Sequence, residues 1–260
     1  MATQDDIAFA HKLSDAAGSV ILPYFRQRID VTDKGKGFFD PVTEADKGAE
    51  RAMRAIIKAE RPDDGILGEE YGEEKGTNAR RWVLDPVDGT RAFIAGQPMW
   101  GTLIALEENE RAVLGVIDQP FLKERFIGHD GGTTMTDRSG TRVLAARRCA
   151  ELSDAVICTT HPFAHFGDAM RAQYRRVEQV ARLSRYGGDC YAYALLAMGF
   201  IDLVIEADLK RWDVAAIIPI VEGAGGVVSD WQGRPCHAGG AVIASGDLHV
   251  HAQALKLLAG

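Results

Sequence analysis

The segment at residues 85–90, Asp-Pro-Val-Asp-Gly-Thr, combines two carboxylates with a glycine and a hydroxyl directly after the apolar run at 82–84. Two carboxylates three residues apart at the end of a predicted strand can bind cations that prefer oxygen ligands. Gly89 allows the backbone to approach an anion closely, and a helix beginning after Asp88 would direct its free N–H groups at a phosphate. The segment therefore predicts a cation site next to a phosphate site.

Three further carboxylates, Asp46, Glu69 and Asp213, stand at or near the ends of predicted elements. Each has an ordinary structural explanation when taken alone: a charge at a helix start, a solvated loop residue and an N-cap. Asp85, however, follows a strand predicted to be fully buried, where an unpaired carboxylate would cost on the order of several kcal/mol. Bound cations would relieve that cost, and an oxygen-only ligand set favours Mg²⁺, Mn²⁺ or Ca²⁺ over Zn²⁺.

Length and composition are those of a globular protein with a substantial core. The chain has 260 residues, of which 46% are hydrophobic and 26% are charged, as is usual for globular proteins. Its net charge of −7 argues against a nucleic-acid-binding surface. It does not argue against a small anionic substrate, because bound metal ions would invert the local charge.

The cysteines and the N-terminal segment bear on where the protein works. The four cysteines are widely spaced and form no CxxC pair, so we expect buried free thiols in a reducing cytoplasm rather than a zinc or redox site. The N-terminal segment has no basic region followed by an apolar run, as a signal peptide would. Since no stretch approaches about 18 apolar residues, we expect a cytoplasmic protein without a membrane span.

The first half of the chain combines two helices with a series of strands. Apolar residues recur at helical spacing over 4–28, and a second helix is predicted after Thr43, which with Asp46 approaches a capping box. Residues 71–80 are polar and predicted to be a loop. Strands are predicted at 65–68, 82–84, 99–106, 112–118, 124–128 and 142–145.

The second half alternates strands with helices. Strands are predicted at 155–159, 183–186, 201–206, 226–229 and 242–245, and helices at 165–183, 188–198, 212–222 and 247–258. We therefore expect two tightly fused parts that share one core, with an α+β part at 1–150 and an α/β part at 151–260.

Five segments, taken together, resemble the inositol monophosphatase family of lithium-sensitive, Mg²⁺-dependent phosphatases. The segment at 85–90 resembles the family's signature, and the other four matches follow the family's order along nearly the whole chain. They are Asp-Pro-Val-Thr-Glu-Ala-Asp at 40–46, Gly-Glu-Glu at 68–70, Trp-Asp-Val-Ala-Ala at 212–216 and Glu-Gly-Ala-Gly-Gly at 222–226. The resemblance implies a mixed α/β fold, a layered α-β-α-β-α sandwich like that of fructose-1,6-bisphosphatase, and a homodimer.

The resemblance also implies a set of metal ligands. Glu69, Asp85 and the backbone carbonyl of Val87 would hold a first Mg²⁺, and Asp85, Asp88 and Asp213 would hold a second. Glu69 would also reach a third, water-rich site. Mn²⁺ is a possible substitute, and Li⁺ is expected to inhibit by competing at the second site.

Further roles follow from the same resemblance. Asp46 and Thr90 would form a pair that accepts a proton from the attacking water, with Glu69 completing the catalytic group. The amides of Gly89 and Thr90 would hold the phosphate. Two cations bridging a phosphate ester stabilise both the attacking and the departing oxygen, so no covalent phosphoenzyme is needed.

Two segments favour the branch of the family that includes histidinol-phosphate phosphatases. The residues at 90–98 place Arg91 where that branch has a basic residue, often Lys, and the residues at 185–193 place Asp189 where inositol phosphatases tend to have Thr. Histidinol phosphate is cationic away from its phosphate, so Asp189 and Glu206 are predicted to bind that end. Glu206 is shared with inositol phosphatases and does not discriminate.

The remaining substrate contacts are expected to come from Arg185, as a phosphate or interface contact, and from Asp213. An alternative explanation for Asp189 is a helix N-cap. One lysine of the family's basic loop corresponds to Lys34 or Lys36, which the sequence does not distinguish. His161 and His165 are predicted to lie at the surface or an interface.

The predicted activity is hydrolysis of a small-molecule phosphate monoester, with L-histidinol phosphate as the favoured substrate. Inositol 1-phosphate and other polyol or sugar phosphates are the alternatives, with 3′-phosphoadenosine phosphates ranked lower because no adenine-binding feature is evident. A non-catalytic phospholigand sensor or protein-binding module is the alternative from another class. Such a protein would be expected to lack one of the carboxylates Glu69, Asp85, Asp88 and Asp213, and all four are present.

Overall fold

The computed structural model describes residues 1–28, 30–33 and 41–259. The helices in these residues are α1 Gln4–Ile21, α2 Glu44–Glu60, α3 Thr90–Ile94, α4 Pro162–His165, α5 Asp168–Glu178, α6 Asp189–Ala197, α7 Arg211–Ala215, α8 Ile217–Gly223 and α9 Leu248–Ala259. The strands are β1 Thr32–Asp33, β2 Pro41–Val42, β3 Gly65–Gly68, β4 Gly72–Glu74, β5 Arg80–Asp88, β6 Gly101–Glu108, β7 Arg111–Gln119, β8 Glu124–His129, β9 Gly132–Asp137, β10 Gly140–Leu144, β11 Val156–Thr159, β12 Leu183–Tyr186, β13 Leu203–Leu209, β14 Val227–Asp230 and β15 Gly240–Ser245.

Two mixed sheets organise these elements. The larger has eight strands in the order β10-β9-β8-β7-β6-β5-β3-β4, with β3 and β5 parallel and the other neighbours antiparallel. The smaller has five strands in the order β12-β11-β13-β15-β14, with β11 parallel to both of its neighbours. Strands of the first sheet lie within residues 65–144 and those of the second within 156–245.

Helices cover both sheets and fill the space between them. α1 and α2 pack together on one face of the larger sheet. α6, α7 and α8 lie between the sheets and share a core with both. α5 and α9 cover the outer face of the smaller sheet. This order of layers confirms the predicted α-β-α-β-α fold, while the proposed boundary at residue 150 stays a prediction.

The helices between the sheets, α6, α7 and α8, form the middle layer. This layer approaches the larger sheet closely at two glycines that lie opposite each other on neighbouring strands. Gly115 of β7 and Gly128 of β8 are register partners. A Cβ on Gly115 would overlap the carbonyl of Ala216, and one on Gly128 would overlap the backbone of Ile220. Because neither glycine has a side chain, α8 can rest directly on the sheet.

Local signals explain where several helices begin and end. Thr43 and Asp46 form the predicted capping box of α2. The first helix ends at Ile21, short of the predicted 28, and a 3₁₀ turn containing Pro23 follows, because proline has no N–H to continue the ladder. The helix predicted at 212–222 is two helices, because Pro219 cannot donate to the carbonyl of Ala215 where α7 ends.

Other predictions needed correction. The helix predicted at 165–183 is replaced by α4, which ends at His165, and α5, which begins after Gly167. β4 lies in the segment predicted to be a loop, and β9 was not predicted. The four cysteines are buried free thiols, as expected. Among the described residues, none of the helices has the length and apolar character needed to cross a bilayer.

Candidate active site

Two parallel strands deliver Glu69 and Asp85 to the same edge of the larger sheet. β3 and β5 pair in parallel, and Gly68 opposite Leu84 is the last pair between them. Glu69 and Asp85 directly follow this pair. The register continues for one more bond, since the Glu69 amide donates to the Leu84 carbonyl at 3.1 Å. Asp85 is almost fully buried, whereas Glu69 is half-buried and lines a cavity.

An irregularity in β5 brings Asp85 and Asp88 together. In a regular strand, residues three apart face opposite sides of the sheet. Here Asp85 pairs with Leu103 and Asp88 with Gly101, so two residues of β5 oppose one residue of β6 and the register shifts. Such a bulge turns the strand locally. The two carboxylates therefore converge on one site.

Asp213 reaches the same site from the second half of the chain. It lies in the first turn of α7, where its carboxylate accepts a hydrogen bond of 2.6 Å from the Lys210 amide. Carboxylate oxygens of Asp85, Asp88 and Asp213 all lie within 4.8 Å of one another. Asp88 is oriented further by the Cys190 amide at the start of α6, which donates to it at 2.7 Å.

The electrostatics of this cluster favour a bound cation. Burial raises the pKa of Asp85 well above its ordinary value, and the charges of Glu69, Asp88 and Asp213 raise it further. Burial and the charge of Asp88 likewise raise the pKa of Asp213. Carboxylates that repel each other in a buried site are stabilised in the ionised form by a cation. The oxygen-only donor set therefore fits a hard divalent ion such as Mg²⁺.

Gly89 and Thr90 lie beside the cluster, in the geometry that close anion approach requires. α3 begins at Thr90, and Gly89 has a φ of +82°, a conformation that favours glycine. A Cβ on Gly89 would lie 3.0 Å from the Cβ of Asp189 and 3.1 Å from the Met99 carbonyl. A glycine is thus required both by the backbone conformation and by the space.

Asp46 is buried, and its first role is in the capping box. Its carboxylate accepts hydrogen bonds from the Thr43 amide at 2.9 Å and from the Thr43 hydroxyl. The Thr90 hydroxyl donates instead to the Val87 carbonyl at 3.0 Å. Among the described hydrogen bonds, the direct Asp46–Thr90 contact that the resemblance implies is therefore not formed. Burial raises the pKa of Asp46 to about 6.

A cavity of about 590 Å³ opens from the carboxylate cluster. Glu69, Asp88, Thr90 and Asp213 line the cavity at the cluster, and polar side chains from α3, α4, α6, β13 and the residue that follows β11 line the remainder, here called the far wall. That far wall includes Arg91, Thr160, His165, Asp189, Tyr193 and Glu206. An oxygen-rich cation end and a separate polar end suit a small phosphate ester.

A sequence profile of the inositol monophosphatase family matches residues 3–259 of this chain. The chain belongs to the inositol monophosphatase family. Members of this family use divalent metal ions. As a member of the family, the protein is a phosphoric monoester hydrolase. The resemblance drawn from the five sequence segments is confirmed.

Three relatives illustrate the match. The bifunctional phosphatase IMPL2, chloroplastic, of Arabidopsis thaliana is 44% identical, over 96% of this chain and 74% of that protein. A histidinol-phosphatase of Chlorobaculum parvum is 39% identical, over 88% of this chain and 87% of its own. A solved structure of an inositol monophosphatase from Zymomonas mobilis is 45% identical and superposes with a TM-score of 0.89, covering 100% of both chains.

The far wall of the phosphatase cavity carries two acidic groups, the buried Glu206 and the half-buried Asp189. Glu206 of β13 accepts hydrogen bonds from the Thr160 amide at 2.7 Å and the Thr160 hydroxyl at 2.9 Å. Burial raises its pKa to about 8. Asp189 is the first residue of α6, with Gly188 as the N-cap. Burial and the neighbouring Asp88 raise its pKa to about 7, and Arg91 opposes that rise.

Other predicted contacts lie away from the cavity. Arg185 is exposed on β12, the edge strand of the smaller sheet, and is not among the described cavity-lining residues. Its expected role as a phosphate or interface contact stays a prediction. Asp40 and the two lysines of the basic loop, Lys34 and Lys36, lie outside the described residues.

His165 was predicted to lie at the surface or an interface, and no motif indicated that it belongs to the cavity. It is half-buried on α4, lines the cavity, and lies 3.0 Å from Arg91 through its Nε2 atom. Burial and the Arg91 charge both lower the pKa of His165, which favours the neutral ring. His161 is exposed, as predicted.

Glu50 is a further residue that no motif indicated, and it holds the turn containing Glu69. Its fully buried carboxylate accepts hydrogen bonds from the Glu70 amide at 2.8 Å and the Tyr71 amide at 3.2 Å. Arg54, one turn along α2, donates to it at 2.7 Å. A Cβ on Gly68 would overlap this carboxylate, which explains the glycine of the Gly-Glu-Glu segment.

We predict that replacing Glu50 by Gln weakens Mg²⁺ binding about 10- to 100-fold, as is typical when a residue that orients a metal ligand is changed. In this variant, the backbone amide of Glu70 or of Tyr71 would face a side-chain NH₂ group in place of the carboxylate oxygen that accepts its hydrogen bond. Isothermal calorimetry measures the affinity. Glu74→Gln is the matched control, because Glu74 pairs with the same Arg54 but is half exposed and holds no part of the Glu69 turn. Equal Mg²⁺ affinities in the two variants would contradict the assignment.

We also predict that metal-free protein loses stability as pH rises and that Mg²⁺ restores it. Carboxyls with a raised pKa, such as Asp189 at about 7 and Glu206 at about 8 and the cluster around Asp85, favour the folded state when protonated. That contribution is present at acid pH and lost as pH rises through the folded pKa values. The increase in Tm caused by Mg²⁺ should therefore be larger at about pH 8 than at about pH 5.

Asp88→Asn isolates this effect. It removes one repelling charge, so the metal-free variant should be more stable than the parent at about pH 8. Mg²⁺ should raise the Tm of this variant much less than it raises the Tm of the parent. Asp168→Asn, at an exposed side chain on α5, should respond like the parent. A full Mg²⁺ response in Asp88→Asn would show that the cation binds elsewhere.

Proposed function

We propose that this phosphatase hydrolyses L-histidinol phosphate to L-histidinol and phosphate with Mg²⁺ as its cofactor. The observation that carries the proposal is the cavity that joins the carboxylate cluster to two further acidic groups in its lining, the half-buried Asp189 and the buried Glu206. The similarity to a histidinol-phosphatase of Chlorobaculum parvum supports it. The reaction would serve histidine biosynthesis in the cytoplasm.

The residues of the cluster end would bind the phosphate and its cations. Bound Mg²⁺ would supply Lewis-acid polarisation of the phosphate and of the attacking water, held by Glu69, Asp85, Asp88, Asp213 and the Val87 carbonyl. Oxygens of Asp85, Asp88 and Asp213 lie within 4.8 Å of one another, and by the family resemblance two or three ions would share the whole ligand set.

The chain's own groups would position the phosphate and take up a proton. Gly89 and Thr90 offer backbone amides to the phosphate at the start of α3. Asp46, with a pKa of about 6, is suited to accept a proton near neutral pH. The water oxygen would form the new bond to phosphorus as the ester bond breaks, and the departing alcohol oxygen would take the electron pair.

The far wall would select a cationic alcohol. Histidinol phosphate carries an ammonium group and an imidazole, and an ammonium is a strong hydrogen-bonding partner for a largely desolvated carboxylate. A Cβ built on Gly89 would lie 3.0 Å from the Cβ of Asp189, so Asp189 would lie close to the phosphate end of the substrate. Glu206 already accepts two bonds from Thr160.

Inositol 1-phosphate is the second candidate substrate. The similarity to an inositol monophosphatase from Zymomonas mobilis favours it, and Glu206 would suit hydroxyls as well as an amine. The homodimer, the choice of Mg²⁺ over Mn²⁺, and inhibition by Li⁺ stay predictions from the resemblance.

We predict a higher kcat/KM for L-histidinol phosphate than for inositol 1-phosphate, measured by phosphate release in the presence of Mg²⁺. Asp189→Asn should lower kcat/KM for histidinol phosphate about 10- to 100-fold, since a charge-assisted bond is worth about 1.5–3 kcal/mol. The same variant should change kcat/KM for the uncharged alcohol ester much less. A preference for inositol 1-phosphate, or an equal loss with both substrates, would contradict the assignment.

A further inference from the structure

A second cavity of about 360 Å³, here called the side cavity, adjoins the catalytic cavity. Four residues line both cavities and so form the boundary between them: Arg91, Thr160, Ala164 and Asp189. Beyond this boundary the lining is less polar, because aromatic and apolar side chains take part in it, among them Ala92, His161 and Phe163. A molecule bound in the catalytic cavity can therefore extend an apolar group into the side cavity.

The boundary is held by contacts with the wall of the catalytic cavity. Thr160 donates its amide and its hydroxyl to Glu206 at 2.7 and 2.9 Å. The Arg91 guanidinium lies 3.0 Å from the Nε2 atom of His165, the last residue of α4. Since α4 begins two residues after Thr160, the short helix that carries Phe163 is tied to the catalytic cavity at both ends.

The Phe163 ring is exposed to solvent and contacts two neighbouring side chains. Phe163 is 66% exposed. The Arg171 guanidinium lies 4.9 Å from the centroid of the ring, and the His161 ring stands nearly perpendicular to it at a centroid distance of 6.3 Å. An exposed aromatic ring that its neighbours hold in place can cover a planar ligand at a small cost in conformational entropy.

We propose that the side cavity is the binding site for the imidazole ring of L-histidinol phosphate, and that Phe163 is a specificity-determining residue whose ring contacts that imidazole. This inference rests on the proposed function, because it concerns the alcohol part of that substrate. The ammonium group stays with Asp189, and only the ring enters the side cavity.

The path from the phosphate to the side cavity runs past Asp189. A Cβ built on Gly89, in the turn proposed to bind the phosphate, would lie 3.0 Å from the Cβ of Asp189, and Asp189 lines both cavities. In histidinol phosphate, the carbon that bears the ammonium group also bears the imidazole through a single methylene group. An ester with its phosphate at Gly89 and its ammonium at Asp189 therefore has its ring at the boundary of the side cavity.

The lining of the side cavity suits an imidazole better than an inositol. An imidazole has two flat faces, which pack against an aromatic ring such as that of Phe163, and two nitrogens at its edge, which can bond to polar atoms of Thr160 and His161. Inositol has hydroxyl groups around a puckered ring and no flat face, so Phe163 would add little to its binding. The side cavity would thus distinguish the two candidate alcohols, which Glu206 does not.

Two amino esters separate this contact from the one made by Asp189. L-histidinol phosphate and L-alaninol phosphate share the amine, but the second carries a methyl group in place of the imidazolylmethyl group. With Mg²⁺ present, Phe163→Ala should lower kcat/KM for histidinol phosphate about 3- to 10-fold, mainly by raising KM, because an aromatic contact remote from the reacting bond contributes to binding. The same variant should change kcat/KM for alaninol phosphate less than about twofold. Asp189→Asn, in contrast, should lower kcat/KM for both esters.

Two further variants are the controls. Phe163→Tyr keeps the ring and should keep the preference of the parent for histidinol phosphate over alaninol phosphate. Phe200→Ala removes a ring that is also 66% exposed but is not among the described cavity-lining residues, so it should behave like the parent. An equal loss with both esters in Phe163→Ala, no loss with either, or the same loss in Phe200→Ala would overturn the proposal.

The mass of the protein in solution tests the competing occupant of this face, a second copy of the chain. Light scattering on the parent and on Phe163→Ala should give the same mass, because the ring contacts the substrate. A lower mass in Phe163→Ala, together with a uniform loss of activity on the two esters, would show that copies of the chain meet at this face and would overturn the proposal.

The two hypotheses fail differently. If the parent protein with Mg²⁺ prefers inositol 1-phosphate, or releases phosphate from no ester, the proposed function fails before the variants are considered. If the parent prefers histidinol phosphate and Phe163→Ala treats both amino esters as the parent does, the proposed function stands and the role of the side cavity falls.

Discussion

Repulsion among closely spaced carboxylates is the constraint on which the rest of the structure depends. Asp85, Asp88 and Asp213 place oxygens within 4.8 Å of one another. Burial raises the pKa of all three, and neighbouring carboxylates raise those of Asp85 and Asp213 further. Folding alone would not favour such a cluster, since each charge loses water without gaining an opposite charge. A divalent cation converts this unfavourable arrangement into a binding site, which accounts for the cluster's position at the base of a cavity.

The layered fold is what brings these charges together. The parallel pairing of β3 and β5 places Glu69 beside Asp85, and the bulge in β5 turns Asp88 toward the same side. The middle layer contributes the rest, with Asp213 on α7 and the Cys190 amide at the start of α6. Because the site needs elements from both halves, and α8 rests on glycines of the larger sheet, the site and the core between the sheets depend on the same packing.

Much of this was predictable from the sequence where a signal is local. The carboxylate segment, the capping box of Asp46 and most of the strands and helices follow from spacing and propensity alone, whereas β4, β9 and the break between α4 and α5 did not. Contacts between elements distant in the chain were not predictable. His165 reaches Arg91 from α4 across 74 residues, and Glu50 supports the turn of Glu69 from α2. The partners of Thr90 likewise depend on the exact path of the bulge, which no local pattern encodes.

The central claim is that the carboxylate cluster holds divalent cations, and anomalous diffraction from crystals grown with Mn²⁺ tests it most directly. The account predicts at least one strong anomalous peak at about 2.0–2.3 Å from oxygens of Asp85, Asp88 and Asp213. Strong peaks elsewhere in the molecule, with none at these three carboxylates, would contradict it.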